Sequence, residues 1–287
     1  MCNNNTINSK VLGKRLNQSQ GKNPKAKIGI TTTICKCNYC GLIYSNPQPI
    51  PNNIQDHYGV PPENYWIEEY FSINPNYFKG ELQRLQELSP FLSGQKALDI
   101  GAGLGKCMIA LQNHGYDTFG FEPSEPFYDR AINKMGIAKD KLQLASIEDI
   151  DFPVSSFDFI TFGAVLEHLY DPDACLKKAF SWLKPNGIIH IEVPSSDWII
   201  SKIFNFYYFM IGTDYVTNLS PMHSPFHLYE FSLKSFEDNG LKNGYKIIKS
   251  EYYECDTFMP KILDKPLKWY MKKNNKGMQL AIWLQKI

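Results

Sequence analysis

"KALDIGAGLGKCMIALQNHGYDTFGFE", Lys96 to Glu122, packs a strand, a glycine-rich turn, a helix and a second strand into one short stretch. "KALDI" is a short run of the kind buried in a sheet, and "LGKCMIALQNHG" carries apolar residues at helical spacing before stopping at Gly115. "DTFGF" then reads as a second strand. Gly101, Gly103 and Gly105 fall at the carboxyl end of the first strand, where small residues let a ligand approach the backbone and let the helix pack closely.

The same alternation continues outward. A helix from Pro126 to Met135 ends at Gly136, "KLQLA" (141–145) is a weak third strand, and "FDFITFG" (157–163) is a fourth. "DPDACLKKAFSWL" (171–183) is a helix with Asp171 as N-cap and Pro172 at its first position. "KPNG" (184–187) turns the chain into the strand "IIHIEV" (188–193). Strands separated by helices in this way imply right-handed βαβ units and a parallel sheet covered on both faces. The chain closes with a helix "SLKSFEDNG" (Ser232 N-cap, Gly240 stop) and the strands "YKIIKSEYY" and "MQLAIWLQ". The expected fold is α/β: a Rossmann-like, doubly wound, seven-stranded sheet of five parallel strands plus a C-terminal antiparallel pair. Residues 65–88 read as helical, interrupted at Asn74-Pro75, and the aromatic-rich stretch after Pro194 reads as a helical lid. The expected organisation is a basic, partly mobile segment at 1–60, cap helices at 61–92, and a catalytic domain at 93–287 with its lid at about 196–231.

Two details of the glycine loop bear on its ligand. The spacing is G-x-G-x-G, whereas dinucleotide loops read G-x-G-x-x-G, and Asp99 sits two residues before the first glycine. A carboxylate there repels a pyrophosphate, which seeks bare N–H groups and a helix N-terminus. It suits S-adenosylmethionine, which carries an α-ammonium and a sulfonium and no phosphate. Glu122, at the end of the second strand, is placed to accept hydrogen bonds from both ribose hydroxyls.

Four blocks, "LDIGAGLG", "FGFEPS", "SIEDIDFPVSSFDFITFGAVLEHLYDP" and "LKPNGIIHIEVPS", occur in order between Leu98 and Ser195. In them the chain resembles the class I S-adenosylmethionine-dependent methyltransferases, particularly the group that includes quinone-biosynthesis and small-molecule enzymes. The resemblance implies a cofactor set of Asp99, Gly101, Ala102, Gly103, Gly105, Glu122, Pro123 and Gly163, with Ile147 and Glu148 flanking the adenine. It also places Val165 to Leu169 beneath the transferable methyl. One departure is Ser146, where many relatives carry an Asp that bonds the adenine amino group.

Methyl transfer is a displacement for which the cofactor supplies the electrophile, so the protein aligns, excludes water and, for an oxygen nucleophile, removes a proton. His168, with Glu167 before it, and His227 are the candidate catalytic residues; His223 is a weaker one, and each imidazole has a purely structural alternative. His190 lies mid-strand and reads as structural. Tyr65, Trp66 and Tyr70 are candidates for a flap or for the core.

Upstream, "ICKCNYCGLIYSNPQP" (Ile34 to Pro49) resembles the second half of the zinc ribbon that precedes the catalytic domain in sugar and polysaccharide-cluster methyltransferases. The first Cys-x-x-Cys is missing. Cys35, Cys37 and Cys40, with Cys2 or His57, are weak metal candidates, and the reading is a degenerate ribbon kept as a packing hairpin, without zinc. The resemblance favours sugar or nucleotide-sugar acceptors.

The charge pattern adds little about partners. Residues 1–55 carry seven Lys or Arg and no acid, and residues 261–287 carry seven Lys against Asp264, so the net charge of +1 conceals an acidic middle. Basic residues are not interleaved with aromatics, so no nucleic acid is expected; a small-molecule acceptor is. There is no apolar signal region, the run Trp198 to Gly212 is too short and polar to span a bilayer, and the cysteine number is odd. A cytoplasmic enzyme with no stable membrane insertion is expected. The leading function is O-methylation of a sugar, nucleotide sugar or glycan precursor. Alternatives are C- or N-methylation of another metabolite, a NAD-dependent oxidoreductase, and a non-catalytic adenosyl-binding scaffold.

Overall fold

The strand expected at "KALDI" spans Lys96–Ile100 and lies inside a seven-stranded sheet. The structure is a computed structural model, and it describes residues 1–2, 8–16, 31–48, 71–89, 94–221, 226–255, 257 and 259–287. His57, Tyr65, Trp66, Tyr70 and His223 lie outside the described residues.

The strands are β1 (Ser9–Leu16), β2 (Thr31–Cys37), β3 (Ile43–Asn46), β4 (Lys96–Ile100), β5 (Asp117–Glu122), β6 (Leu142–Leu144), β7 (Phe157–Gly163), β8 (Leu183–Pro194), β9 (Tyr229–Glu230), β10 (Tyr245–Tyr253) and β11 (Gln279–Lys286). The helices are α1 (Lys79–Leu88), α2 (Lys106–Asn113), α3 (Glu125–Asn133), α4 (Pro172–Trp182), α5 (Ile199–Met210), α6 (Leu233–Asn243) and α7 (Lys261–Asn274). The large sheet is mixed, with strand order β10-β11-β8-β7-β4-β5-β6, and β4 pairs in parallel with both β5 and β7. The doubly wound, Rossmann-like fold expected from the sequence is the fold observed.

Contacts divide the chain into two compact units, 51–165 with 174–191 and 283–287, and 1–50 with 166–173 and 192–282. In the first of these, Leu98, Ile100, Phe159, Ile160 and Phe162 on the central strands are fully buried. A parallel strand covered on both faces has to be apolar almost throughout, so Asp99, buried in the middle of β4, is a local violation that points to a site. His190 on β8 is a structural imidazole, as expected. It is fully buried, lies edge-on to Phe78 and stacks on Phe159, and burial pushes it down to about 3, so it stays neutral.

The second unit contains a four-stranded sheet in the order β1-β2-β3-β9. Ser9–Leu16, read from its Asn/Lys/Ser-rich surroundings as part of a mobile segment, is a strand paired antiparallel with β2. Leu12 packs against Ile34, Ile43, Val216 and Leu219, and this burial outweighs the weak local periodicity. Ile43 and Tyr44 pair with Glu230 and Tyr229, which joins the knuckle-bearing hairpin to the segment entering α6.

Ser232 caps α6 as expected, its hydroxyl accepting the Ser235 N–H at 3.0 Å. Gly240 does not stop that helix, which runs on to Asn243 and ends at Gly244. A Cβ at Gly240 would stand 2.5 Å from the Tyr245 carbonyl oxygen, so this glycine serves close approach, not termination. The lysine-rich helix α7 had no sequence signal, because Pro266 interrupts it. Among the described residues no helix is long and apolar enough to cross a membrane.

A buried polar cluster fixes the turn before β9. Glu230 accepts the Asn218 amide at 2.6 Å and the Leu219 N–H at 2.9 Å, and Asn205 on α5 donates to Asn218 at 2.7 Å. Leu219 has φ +62°, an unfavourable region for leucine that these bonds hold. Glu230→Ala is expected to lower stability by about 1–3 kcal/mol through the orphaned donors. Urea unfolding measures it, and an unchanged midpoint would remove the cluster from the account.

Candidate active site

The loop after β4 takes its shape from three glycines with positive φ: Gly101 at +67°, Gly103 at +55° and Gly105 at +74°. They do different work. A Cβ at Gly101 would come within 2.6 Å of the Val165 side chain, and one at Gly105 within 2.7 Å of Ile137, whereas one at Gly103 would meet no atom of the described residues within 4 Å. Gly101 and Gly105 therefore let the loop pack, and Gly103 faces open space. Gly105→Ala is expected to cost about 1–3 kcal/mol of stability by overpacking. Gly103→Ala is expected to cost about 1 kcal/mol from backbone strain, with its main effect on ligand affinity. Urea unfolding and ligand titration on both variants would show the split, and identical profiles would contradict it.

The glycine loop is tied to the end of β5 by one carboxylate. Glu122 accepts the Gly103 N–H at 2.7 Å and the Ser124 N–H at 2.9 Å, and the Gly101 and Ala102 N–H groups both reach the Phe121 carbonyl at 3.0 Å. Ala102 is buried and Pro123 half-buried beside it. Asp99 is 4% exposed, and its Oδ2 has no hydrogen-bond partner among the described residues. Burial pushes its carboxyl up to about 8, and the neighbouring Glu122 charge adds to this. Burial likewise pushes Glu122 to about 7, against the pull of the Ser124 and Gly103 N–H bonds. Two buried acids, one unsatisfied, fit a ligand that brings positive charge and hydroxyl donors. They do not fit a pyrophosphate.

Downstream, Ile147 is buried and Glu148 exposed in the turn after β6. Ser146, which stands where an Asp was looked for, donates its hydroxyl to Asp149 at 2.8 Å. A carboxylate thus stands three residues on, hydrogen-bonded to the Ser146 hydroxyl. Gly163 is exposed at the end of β7.

In the other unit, Leu166–His168 form one 3-10 turn. Glu167 is 1% exposed, its Oε2 has no hydrogen-bond partner among the described residues, and burial pushes its carboxyl up to about 8, with Glu192 adding. His168 Nδ1 lies 2.9 Å from the Phe226 carbonyl oxygen. Since a carbonyl only accepts, the proton is on Nδ1 and the lone pair on Nε2. The rings of His168 and His227 meet edge to face at 4.8 Å, and Glu167 Oε1 is 4.0 Å from His168 Nε2. His227 is held by paired backbone contacts with Ser220. The three residues proposed from sequence as catalytic are thus brought together, although 59 positions separate His168 from His227. On α5, Phe206, Tyr207, Phe209 and Met210 are exposed. Of the metal candidates, Cys37 and Cys40 cluster with Cys2, and Cys35 stands outside that group.

The raised carboxyls have a consequence for stability. The folded chain keeps protons on Asp99, Glu122 and Glu167 that the unfolded chain releases near pH 4. Without ligand, stability should therefore fall as pH rises from about 4 to about 8. Asp99→Asn is expected to flatten that fall. Urea midpoints across the window check it, and a variant with the same slope as the parent would remove Asp99 from the effect.

A family model described as "Methyltransferase domain" matches residues 73–250. A ubiquinone biosynthesis O-methyltransferase of Coxiella burnetii is 32% identical over 133 residues, which is 45% of this chain and 54% of that protein. One of Bradyrhizobium diazoefficiens is 30% identical over 134 residues, 45% of this chain and 50% of that protein. The chain spans about half the length of these curated relatives. Among solved structures, a SAM-dependent methyltransferase from Archaeoglobus fulgidus superposes with a TM-score of 0.50 at 19% identity, covering 76% of this chain and 97% of that one. The family match over residues 73–250 encloses the glycine loop, Glu122 and the Glu167-His168 turn, and the chain belongs to the class I S-adenosylmethionine-dependent methyltransferases.

Proposed function

We propose that the protein methylates a hydroxyl oxygen of a small molecule. The observation that carries this reading is the Glu167-His168-His227 group, in which the Phe226 carbonyl fixes the His168 tautomer with its basic nitrogen on Nε2. An oxygen nucleophile needs a proton acceptor, and a neutral imidazole of set tautomer suits that task near pH 7. S-adenosylmethionine, when bound, supplies an electrophilic methyl group on a sulfonium. In this reading Asp99 receives the α-ammonium, Glu122 accepts the ribose hydroxyls, and Gly101, Ala102, Gly103, Gly105 and Pro123 shape the backbone cradle. Ile147, Glu148 and Gly163 border the adenine and methionine portions, and Asp149, positioned by Ser146, is the nearest substitute for the absent adenine-binding Asp. His168 Nε2 takes the acceptor proton as the methyl passes from sulfur to oxygen, and the Phe226 carbonyl and the His227 ring hold the imidazole in place. In this reading the stretch at about 196–231 serves as a lid over the acceptor.

The relatives' name favours a phenolic ring hydroxyl as acceptor. A sugar hydroxyl is the second reading, favoured by the Cys37-x-x-Cys40-Gly41 knuckle with its Asn-Pro exit. Transfer of labelled methyl from S-adenosylmethionine to a hydroxylated quinol and to a nucleoside-diphosphate sugar, assayed side by side, tests both. Label on oxygen in the quinol supports the first reading. Label on carbon or nitrogen of either acceptor, or binding without turnover on a broad panel, would defeat O-methylation.

A further inference from the structure

The knuckle is not absorbed by methyl transfer, and its geometry differs from that of an ordinary turn. Cys37 ends β2, and its sulfur accepts the backbone N–H groups of Tyr39 and Cys40. The Cys40 sulfur accepts the Leu42 N–H. Gly41 takes φ +76°, its N–H bonds the Cys37 carbonyl at 3.0 Å, and the Cys37 N–H bonds the Leu42 carbonyl at 2.9 Å. The loop thus brings the Cys37 and Cys40 sulfurs within 4.8 Å of each other. A third sulfur completes the set. Cys2 Sγ is 3.7 Å from Cys37 Sγ, and all three sulfurs lie within 4.8 Å of one another. With Zn–S bonds of about 2.3 Å, two ligands of a tetrahedral zinc stand about 3.8 Å apart, far longer than a disulfide. The residues beside the sulfurs are anchored: the Met1 carbonyl accepts the Asn239 amide at 2.9 Å, and the Cys40 carbonyl accepts the Ser232 hydroxyl.

We propose that Cys2, Cys37 and Cys40 form a zinc-binding site. The three sulfurs line a cavity of about 200 Å³, so a water completes the tetrahedron. Each thiol gives its proton to solvent as the ion binds. Cys35 is not a ligand: it is two residues before Cys37 on an extended strand, about 7 Å along the backbone, and its sulfur stays out of the group. The ion joins the N-terminus to the β2–β3 turn, contacts that otherwise rest on a few hydrogen bonds.

The test uses the full chain purified without chelators. Elemental analysis is expected to find about one zinc per chain. Replacing zinc with cobalt(II) should give thiolate-to-cobalt charge-transfer absorption and the intense d–d bands of a tetrahedral site. Cys2→Ser and Cys40→Ser should each weaken zinc binding beyond the roughly 10- to 100-fold that is lost when a residue hydrogen-bonded to a ligand is changed, read by competition with a chelating dye. Cys35→Ser should keep both the metal and the cobalt spectrum. Titration with S-adenosylmethionine reports whether each variant is folded. A metal-free chain that also fails to take up added zinc or cobalt would overturn the proposal. So would equal loss in Cys35→Ser, or a chain two hydrogens lighter with Cys2 and Cys37 joined as a disulfide.

Discussion

His168→Ala is expected to lower kcat by roughly 10²- to 10⁴-fold, the usual contribution of a positioned general base. Affinity for S-adenosylmethionine should stay the same, because the assignment gives His168 the acceptor's proton and no contact with the cofactor. The tautomer argument sharpens the test. His168 holds a proton on Nδ1 through the Phe226 carbonyl at 2.9 Å, so its basic nitrogen is Nε2. His168→Asn can keep a donor toward that carbonyl but offers no base of comparable strength, and it should be nearly as impaired as the alanine variant. The acidic limb of the pH–rate profile should disappear in both, and added imidazole should partly restore the alanine variant. A second pair of variants separates chemistry from architecture. His227→Phe keeps an aromatic edge against His168 and should lose much less than His168→Ala. A His168→Ala enzyme at near full rate on its identified acceptor, with the acidic limb intact, would remove the histidine from proton transfer and leave alignment as the protein's contribution.

Glu122→Ala is expected to weaken S-adenosylmethionine binding by at least about a hundredfold and to lower the stability of the ligand-free chain as well. Both effects follow from one carboxylate doing two jobs. Its oxygens accept the Gly103 N–H at 2.7 Å and the Ser124 N–H at 2.9 Å, and bonds to a charged group are worth about 1.5–3 kcal/mol each. Removing them frees the glycine loop, and in the proposed assignment the ribose also loses its acceptor. The change has a compensating side: with Glu122 gone, Asp99 loses a like-charged neighbour and its carboxyl should move back toward the ordinary range. Glu122→Gln keeps an acceptor and should fall between the parent and the alanine variant. Calorimetric titration with S-adenosylmethionine and urea unfolding, on the same samples, read the two effects. Undiminished affinity in the alanine variant would take Glu122 out of the cofactor site, whatever happened to stability.

Much of this was readable before any coordinates. The β4–α2–β5 unit follows from buried strands of apolar residues, a helical period and a glycine turn, all of which are local. Asp99, Glu122 and the three glycines stand at the ends of those elements, so their chemistry is legible from position alone. Elements whose stability comes from distant partners were not legible in this way. Ser9–Leu16 becomes a strand because Leu12 finds Ile34, Ile43 and Val216, residues far along the chain. Gly240 looks like a helix stop until the Tyr245 carbonyl is seen against it. Glu230 reads as an ordinary acid and is in fact the anchor of a buried turn.

By itself, then, the sequence determined the doubly wound sheet and the cofactor loop, because both are written in short-range periodicity and in residue types that only a few backbone shapes tolerate. The tertiary structure alone decided which cysteines lie together, which histidine nitrogen carries the proton, and which glycines pack against a neighbouring side chain. Those are matters of distance between residues far apart in the chain, and sequence spacing does not encode them.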